Sequence, residues 1–338
     1  MFTQNETDKK FYEQIRDYLP ETIFDAHVHL WKKEFIRKDD AAGVAGWVGN
    51  FIAEHIMDAE QYTDTVNALF PGKKTEALAF GWVEPNVDLE GNNEYIGSCG
   101  KDIRGLAVAR PDWSAEYTID QVEKNGLCGL KPYPGFAALF KPANEVRVTD
   151  MLSADQLAAA NEKGWVIVLH LPRTGRLADR QNIQDLIMID RQYPNIKTVV
   201  AHIGRAYAPE NIGDAFDALK DTKHLVFDFA ANTNAEVFKQ TIEVFGTKRI
   251  HYGSDMPISG MRMRRTYGVG GNYINIVPKG SCGDVSGDPH MMECEDTDIS
   301  YFAYECVAAM TDAARNLGLK DRDMEDIFFS NAKNLITT

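Results

Sequence analysis

Eight short apolar segments, separated by polar segments of helix-forming composition, most strongly constrain the fold of this 338-residue chain. Several of them, such as WVIVLHLP, are almost continuously apolar rather than alternating, which is typical of parallel strands covered on both faces. Eight alternations of strand and helix predict an α/β fold, a closed (β/α)8 TIM barrel. The strands are predicted at residues 23–31, 76–83, 103–110, 128–134, 165–172, 197–204, 225–231 and 249–257.

The predicted helices between these strands support the barrel. The clearest one begins at Ser153, where Gln156 completes a capping box, and stops at Gly164. An open doubly wound sheet is the alternative, but it usually has fewer strands and a glycine-rich loop after the first strand. No such loop follows the first strand here. Further helices are predicted near 179–192, 209–220 and 234–245.

We expect one domain over residues 1–338, with the barrel strands within 22–257. A short helix within the first 20 residues precedes the barrel. Residues 258–299 form a long loop after strand eight, a lid-like insertion expected over the barrel mouth. C-terminal helices near 300–317 and 321–334 fill residues 300–338.

The charge and cysteine content restrict the partners and the compartment. The net charge is −14, from 36 basic and 50 acidic residues, which argues against nucleic acid and an anionic membrane as partners. The five cysteines include no CxxC pair and are expected to be reduced thiols. Since the N-terminus lacks an apolar leader and no run approaches ~18 apolar residues, we expect a cytoplasmic protein.

Histidines mark the predicted carboxyl ends of the strands. In FDAHVHLW, two histidines lie one residue apart, so their side chains share a face of the strand. A single histidine on a strand is more often a hydrogen-bonded core residue, but the whole set would meet at the mouth of a barrel. Imidazoles with one carboxylate suit a divalent ion such as Zn²⁺. The set comprises His27, His29, His170, His202 and Asp255.

The motifs DAHVHLW, VLHLP, VVAHIG and HYGSDMP, with GLKPYP and FFSNAKNLI, resemble the amidohydrolase superfamily over residues 22 to 336. The sequence is most similar to its metal-dependent TIM-barrel hydrolase branch, the amidohydrolase 2 family, which includes non-oxidative decarboxylases and lactonases. The resemblance implies one divalent metal ion, zinc with manganese as the alternative. It also implies that the metal ligands are His27, His29, His170 and Asp255, and that His202 contacts the metal-bound water or the substrate.

The resemblance implies catalytic roles for Asp255 and His202. A divalent ion lowers the pKa of its bound water toward ~7. Asp255 would act as general base on that water, and His202 would hydrogen-bond the attacked oxygen or the hydroxide. Asp25 is a candidate hydrogen-bond partner for the ligands, although its alternate position on the strand points it away from the two histidines.

Lys131, in GLKPYP, has three interpretations. It is a substrate-pocket residue, a carboxylated bridge between two metals, or a Schiff-base nucleophile favoured by burial. The first agrees best with the branch that the sequence resembles, and therefore with a single metal. Tyr133, Trp31 and Trp82 are expected to line the pocket, with core packing as the alternative for the tryptophans.

Arginines near the metal motifs indicate an anionic small-molecule substrate. Arg173 in HLPR and Arg205 in HIGR are placed to grip a carboxylate, although surface salt bridges explain them equally well. A basic run in the insertion favours the same substrate class and comprises Arg262, Arg264 and Arg265.

Other polar residues have weaker interpretations. A structural zinc site in the insertion would use Cys282, Asp288, His290 and Cys294, but their spacing matches no common pattern. The histidines assigned to structural or surface positions are His55, His224 and His251.

Three functions remain. The first is a metal-dependent hydrolase of an amide, lactone or similar bond in a small carboxylated molecule. The second is a non-oxidative decarboxylase, a lyase that uses the same ligands on an unsaturated or aromatic acid. The third is a barrel that binds a small molecule around a structural metal. A homo-oligomer is a further expectation for barrels of this kind.

Overall fold

A computed structural model of the protein describes residues 4–37 and 56–337. Nine parallel strands follow one another in chain order, and β3 and β4 are two parts of one barrel strand that is interrupted at Leu106. The barrel therefore has eight strand positions, as predicted. They are β1 (Thr22–His29), β2 (Lys74–Phe80), β3 (Ile103–Gly105), β4 (Ala107–Ala109), β5 (Gly129–Pro132), β6 (Val166–Leu169), β7 (Lys197–Val200), β8 (Leu225–Asp228) and β9 (Ile250–His251).

Main-chain hydrogen bonds close the barrel between β1 and the segment that follows β9. A parallel bridge also pairs Val28 with Met256. Since an open sheet would leave these two edges apart, the closure confirms the (β/α)8 barrel. The N–H of Ala26 donates to the carbonyl of Tyr252 (3.1 Å), that of His29 to Met256 (3.0 Å) and that of Asp255 to His27 (2.8 Å).

A glycine permits this closure. A Cβ atom at Gly253 would lie 2.6 Å from the Cβ of His27, closer than real carbon atoms approach. The glycine in HYGSDMP therefore lets the last strand segment lie against the strand that carries the HxH pair.

Helices surround the strands. Ser153 caps a helix that ends at left-handed Gly164, as predicted (φ 65°). Over 209–220 the helix is shorter than predicted. The helices of five or more residues are α1 (Glu6–Ile15), α2 (Ala59–Leu69), α3 (Leu89–Ser98), α4 (Ala115–Lys124), α5 (Ala154–Lys163), α6 (Arg180–Gln192), α7 (Ala215–Leu219), α8 (Ala235–Phe245), α9 (Phe302–Leu317), α10 (Asp321–Glu325) and α11 (Asn331–Thr337). A π-helix (Asp326–Ser330) joins α10 to α11, and four-residue helical turns occupy Pro134–Ala137, Val148–Met151 and His202–Arg205.

The core fills the barrel and the layer between strands and helices. All four residues of β6 are buried, as expected for a strand covered on both faces. Each buried aliphatic side chain of this kind contributes roughly 1.5–3 kcal/mol relative to exposure. In the described ranges, none of the helices combines the length and hydropathy needed to span a bilayer.

The insertion is folded rather than an irregular loop. It contains β10 (Arg264–Tyr267), β11 (Tyr273–Pro278) and β12 (Met291–Cys294), with β10 antiparallel and β12 parallel to β11. The short, partly exposed strands lack the continuous apolar pattern that identified the barrel strands. Sequence analysis therefore predicted only a loop here.

An ion pair joins the start of the insertion to α1. The guanidinium of Arg262 donates to the carboxylate of Asp8 (Nη2–Oδ2, 2.8 Å), whose side chain is fully buried. Ser300 donates to the same carboxylate (2.8 Å) at the far end of the insertion. Both ends of the insertion are therefore fixed on the N-terminal helix.

Candidate metal centre

A cavity of about 190 Å³ lies at the carboxyl ends of the strands and is covered by the insertion. Its walls combine the predicted histidines and Asp255 with aromatic residues and with side chains of the insertion. The lining residues are His27, His29, Trp82, Val83, Lys131, Tyr133, His170, His202, Tyr207, Ala231, Asp255, Ile258, Met263, Arg265, Tyr273 and Asn275.

Three side chains in this cavity could hold a metal ion. The ligand atoms of His27, His202 and Asp255 all lie within 4.8 Å of one another. The Nε2 atom of His27 is 3.5 Å from Oδ1 of Asp255. Because metal–ligand bonds of about 2.0–2.2 Å separate tetrahedral ligands by somewhat more than 3 Å, a small contraction would allow these atoms to share an ion.

Hydrogen bonds fix the tautomers of the histidines. The Nδ1–H of His202 donates to the carbonyl of Ala230 (2.8 Å). The Nδ1–H of His27 donates to Oδ2 of Asp228 (2.9 Å). In both neutral rings Nε2 therefore carries a lone pair, which is the form that binds a metal. His29 differs, because a polar atom lies beside each ring nitrogen: Nδ1 is 3.3 Å from the carbonyl oxygen of Gly81, and Nε2 is 3.5 Å from Oδ1 of Asp255.

The electrostatics agree with neutral histidines and an ionised carboxylate. Burial lowers the pKa of His27 to about 3 and also lowers the pKa of His29 and His170. Burial opposes ionisation of Asp255, but the hydrogen bond with His29 and the nearby His202 lower its pKa overall. These protonation states are those that metal ligation requires.

His29 and His170 lie beside this group without joining it. His29 Nε2 is 3.5 Å from Asp255 Oδ1, and the ring of His170 lies 5.2 Å from the ring of His202. Of the four predicted ligands, His27 and Asp255 belong to the close group, and His29 lies as near to Asp255 as His27 does. The third member of the group is His202, for which sequence analysis predicted contact with water or substrate.

The position of His202 depends on a left-handed turn. The φ angles of His202, Ile203, Gly204 and Arg205 are 56°, 50°, 63° and 66°. Positive φ costs roughly 1–2 kcal/mol per non-glycine residue and is exceptional for β-branched Ile203. The strand ends at Val200 rather than at residue 204, and the turn brings the His202 ring to 4.9 Å from the His27 ring.

Asp228, which sequence analysis missed, connects two members of the group. Besides accepting from His27, its carboxylate accepts the backbone N–H of His202 (2.7 Å). Contact with His27 and His202 lowers the pKa of Asp228 even though burial opposes it. An acidic residue at the end of an apolar strand, in LVFDFAA, was the available signal.

Asp25 points away from the histidines, as its alternate position suggested. It accepts the N–H of Ser254 (2.7 Å) and the hydroxyl of Tyr62 (3.0 Å). Burial raises its pKa to about 6. Asp25 therefore holds the chain segment next to Asp255 rather than a ligand ring.

Lys131 and Tyr133 both line the cavity. The ammonium of Lys131 lies 3.4 Å from His27 Nε2 and 4.4 Å from the ring centre of Phe80. Burial lowers its pKa to about 8. The ring of Tyr133 lies 5.2 Å from that of His170. Of the two tryptophans, Trp82 lines the cavity and Trp31 is buried in the core.

The predicted arginines take different positions. Arg173 pairs with Asp179 (3.1 Å), and Arg205 donates to the carbonyl of Leu171 (3.2 Å). Neither lines the cavity in the described ranges. Within the basic run, Arg262 pairs with Asp8 and Arg264 with Glu305, whereas Arg265 lines the cavity.

The structural zinc hypothesis has no support in residues 4–37 and 56–337. His290 stacks on Tyr273 at 4.3 Å, and no ligand group forms with the insertion cysteines. All five cysteines are free thiols. His251 is buried on β9 and His224 is partly exposed, whereas His55 lies outside the described residues.

Comparisons with known proteins agree with the barrel fold. The chain matches none of the curated proteins. Solved structures share the fold at 11–15% identity. They include an apo protein from Agrobacterium tumefaciens (12%, TM-score 0.58, covering 95% of this chain and 97% of that one). Others are a putative 2-pyrone-4,6-dicarboxylic acid hydrolase from Pseudomonas putida (13%, 0.57, 94% and 98%) and a 5-carboxyvanillate decarboxylase from Novosphingobium aromaticivorans complexed with manganese (13%, 0.57, 96% and 97%).

The family assignment rests on a family model. The model described as Amidohydrolase matches residues 24–272, which span all the barrel strands and reach into the insertion. The match confirms the resemblance seen in the histidine motifs and the expectation of an enzyme. The chain belongs to the amidohydrolase family.

Proposed function

We propose that this protein is a metal-dependent hydrolase of an amide, lactone or similar bond in a small carboxylated molecule. The observation that supports it best is the close group of His27, His202 and Asp255, in which hydrogen bonds occupy the Nδ1 atoms of both histidines. A divalent ion, zinc or alternatively manganese, would lower the pKa of a bound water and polarise a substrate oxygen. His29 and His170, beside the group, complete the proposed set of ligands.

Asp255 is the proposed general base. Its lowered pKa keeps the carboxylate ionised, and it lines the cavity. The carboxylate would accept a proton from the attacking water and return it to the leaving group.

We propose that Nε2 of His202 accepts a hydrogen bond in the cavity and does not donate one. Because its Nδ1–H is bonded to the Ala230 carbonyl, neutral His202 presents a lone pair to the cavity. Stabilisation of a developing oxyanion then falls to other donors that line the cavity, for which we propose the Lys131 ammonium and the Tyr133 hydroxyl.

Non-oxidative decarboxylation is the second candidate. The fully buried amine of Lys131 favours it, because a pKa of about 8 suits proton delivery to a carbon atom after CO2 departs. Structures of 2,6-dihydroxybenzoate decarboxylase share this fold at 11–12% identity.

Metal analysis and product analysis test the proposal together. Protein purified without chelator should contain about one equivalent of divalent metal per chain. Incubation with lactones, amides and aromatic acids should give ring-opened or amine products, whereas release of CO2 would favour the lyase. A protein that binds neither zinc nor manganese would contradict both functions.

A further inference from the structure

Arg265 is a cation of the cavity wall that forms no ion pair within the described residues. It lies on β10 and lines the same cavity as the metal centre. Its neighbours in the basic run, Arg262 and Arg264, each form an ion pair. No carboxylate of the described residues lies within 4.0 Å of the Arg265 guanidinium. Its charge is therefore left uncompensated by the protein.

Neutral groups hold this guanidinium in place. Nε donates to Oδ1 of Asn275 (2.8 Å), and Nη1 donates to the carbonyl of Ala231 (2.7 Å). The rings of Tyr207 and Tyr273 lie 4.4 and 4.8 Å from its central carbon. A guanidinium has five N–H donors, so three remain for a ligand, in the planar fork that matches a carboxylate.

The carbonyls of two consecutive residues accept hydrogen bonds from a histidine of the metal centre and from Arg265. The carbonyl of Ala230 accepts from the His202 ring, and that of Ala231 accepts from Arg265. The Cα atoms of neighbouring residues are about 3.8 Å apart. The points that anchor His202 and Arg265 are therefore close enough for one small ring compound to reach both side chains.

The charges that line the cavity favour an anion. The fixed cations are Lys131 and Arg265, against one carboxylate, Asp255. The cavity is thus locally positive before any metal binds, in a protein whose net charge is −14. Aromatic residues supply most of the remaining wall, namely Trp82, Tyr133, Tyr207 and Tyr273.

We propose that Arg265 determines substrate specificity by binding a carboxylate remote from the bond that reacts. The substrate then carries one carboxylate for Arg265 and the reacting group at a separate position. This inference rests on the proposed function for the identity of the reacting end, but not for the carboxylate contact.

Non-reacting probes test the contact directly. Calorimetry would measure binding of benzene-1,3-dicarboxylate and of benzoate to the protein as purified. The wild type should bind the dicarboxylate 10–100-fold more tightly than benzoate, because a charge-assisted pair adds that much affinity. Arg265→Met should reduce the ratio to about one, and Arg265→Lys should keep only part of it. The matched control is Arg264→Met, an exposed neighbour on the same strand, which should leave the ratio unchanged.

The outcomes separate this inference from the proposed function. An unchanged ratio in Arg265→Met, or no binding of the dicarboxylate by the wild type, overturns the role of Arg265 while leaving the metal chemistry untouched. An Arg265-dependent ratio in a protein without hydrolase activity supports the carboxylate contact and contradicts the proposed function. Thermal unfolding of Arg265→Met should show a single cooperative transition at a lower temperature than that of Arg264→Met, because the variant loses the hydrogen bonds and aromatic contacts of Arg265.

Discussion

The barrel half and the insertion half of the cavity are built differently. On the barrel side, His27 and Asp228 belong to buried strands, and His202 and Asp255 follow strands directly. On the insertion side, Arg265 and Asn275 lie on short strands that are partly exposed. The first half is held by the main barrel sheet, and the second by the ion pair of Arg262 with Asp8 and by aromatic contacts of Arg265.

The difference means that the residues proposed for the chemical step and those proposed for substrate recognition lie on different parts of the fold. Groups proposed to hold a metal lie on or next to the barrel strands, whereas groups proposed to select the substrate lie on the insertion. Changes in the insertion should therefore alter which molecule binds, and changes at the strand ends should alter whether any molecule reacts.

The largest effect should come from the barrel half, in Asp255→Asn. The amide keeps the size of the carboxylate but loses its charge and cannot accept a proton as a base. We expect kcat/KM for an identified substrate to fall by roughly 10³-fold. Arg264→Met should leave it within a factor of two. If kcat/KM of Asp255→Asn decreased by less than tenfold, Asp255 would not be the general base.

In the insertion half, Arg262→Met should mainly change stability. The substitution leaves the buried Asp8 carboxylate without its cation, and we expect urea unfolding to show a loss of about 3 kcal/mol. The control Arg264→Met breaks an exposed pair and should lose less than about 0.5 kcal/mol. Equal losses in the two variants would mean that the insertion is not anchored through Asp8.

Asp228→Asn should weaken metal binding without removing a ligand. The carboxylate orients the His27 ring, and loss of such a partner typically lowers metal affinity by about 10–100-fold. Competition with a chelator measures this change. Asp190→Asn is the matched control, because Asp190 is also buried and accepts the N–H groups of Lys223 and His224 elsewhere in the fold. Similar affinities in both variants would contradict the role of Asp228.

The smallest effect concerns pH and His251. Burial lowers its pKa from 6.5 to about 4, so unfolding takes up a proton between these values. His251 should therefore raise the free energy of unfolding by about 1.4 kcal/mol for each pH unit over this window. The same stabilisation is lost as the pH falls. In metal-free protein, His251→Gln should reduce the slope by that amount between pH 4.5 and 6. An unchanged slope would show that His251 is protonated in the native state.

Local patterns explain what the sequence could predict. Continuous apolar runs located the eight strand positions, and the spacing in DAHVH placed both histidines in the cavity. The strand carrying His202 was predicted to continue to residue 204, because nothing in VVAHIGR announces a left-handed turn over non-glycine residues. The turn, and with it the position of His202 in the close group, depends on tertiary contacts such as the Asp228 bond to its backbone.

The arginines show a second feature that could not be predicted from the sequence. Proximity in sequence to a histidine favoured Arg173, but its side chain turns to Asp179, which caps the next helix. Arg265 reaches the cavity from a strand whose irregular sequence gave no period to follow. Contacts between distant segments decided both cases.

The hydrogen bonds of Asp228 have a consequence for how the proposed metal ion would be acquired. With one carboxylate fixing the His27 ring and the His202 main chain, the imidazoles already face one another before loading. Little conformational order remains to be gained on arrival of an ion, so exchange between zinc and manganese should depend on their supply in the cell and leave the barrel unchanged.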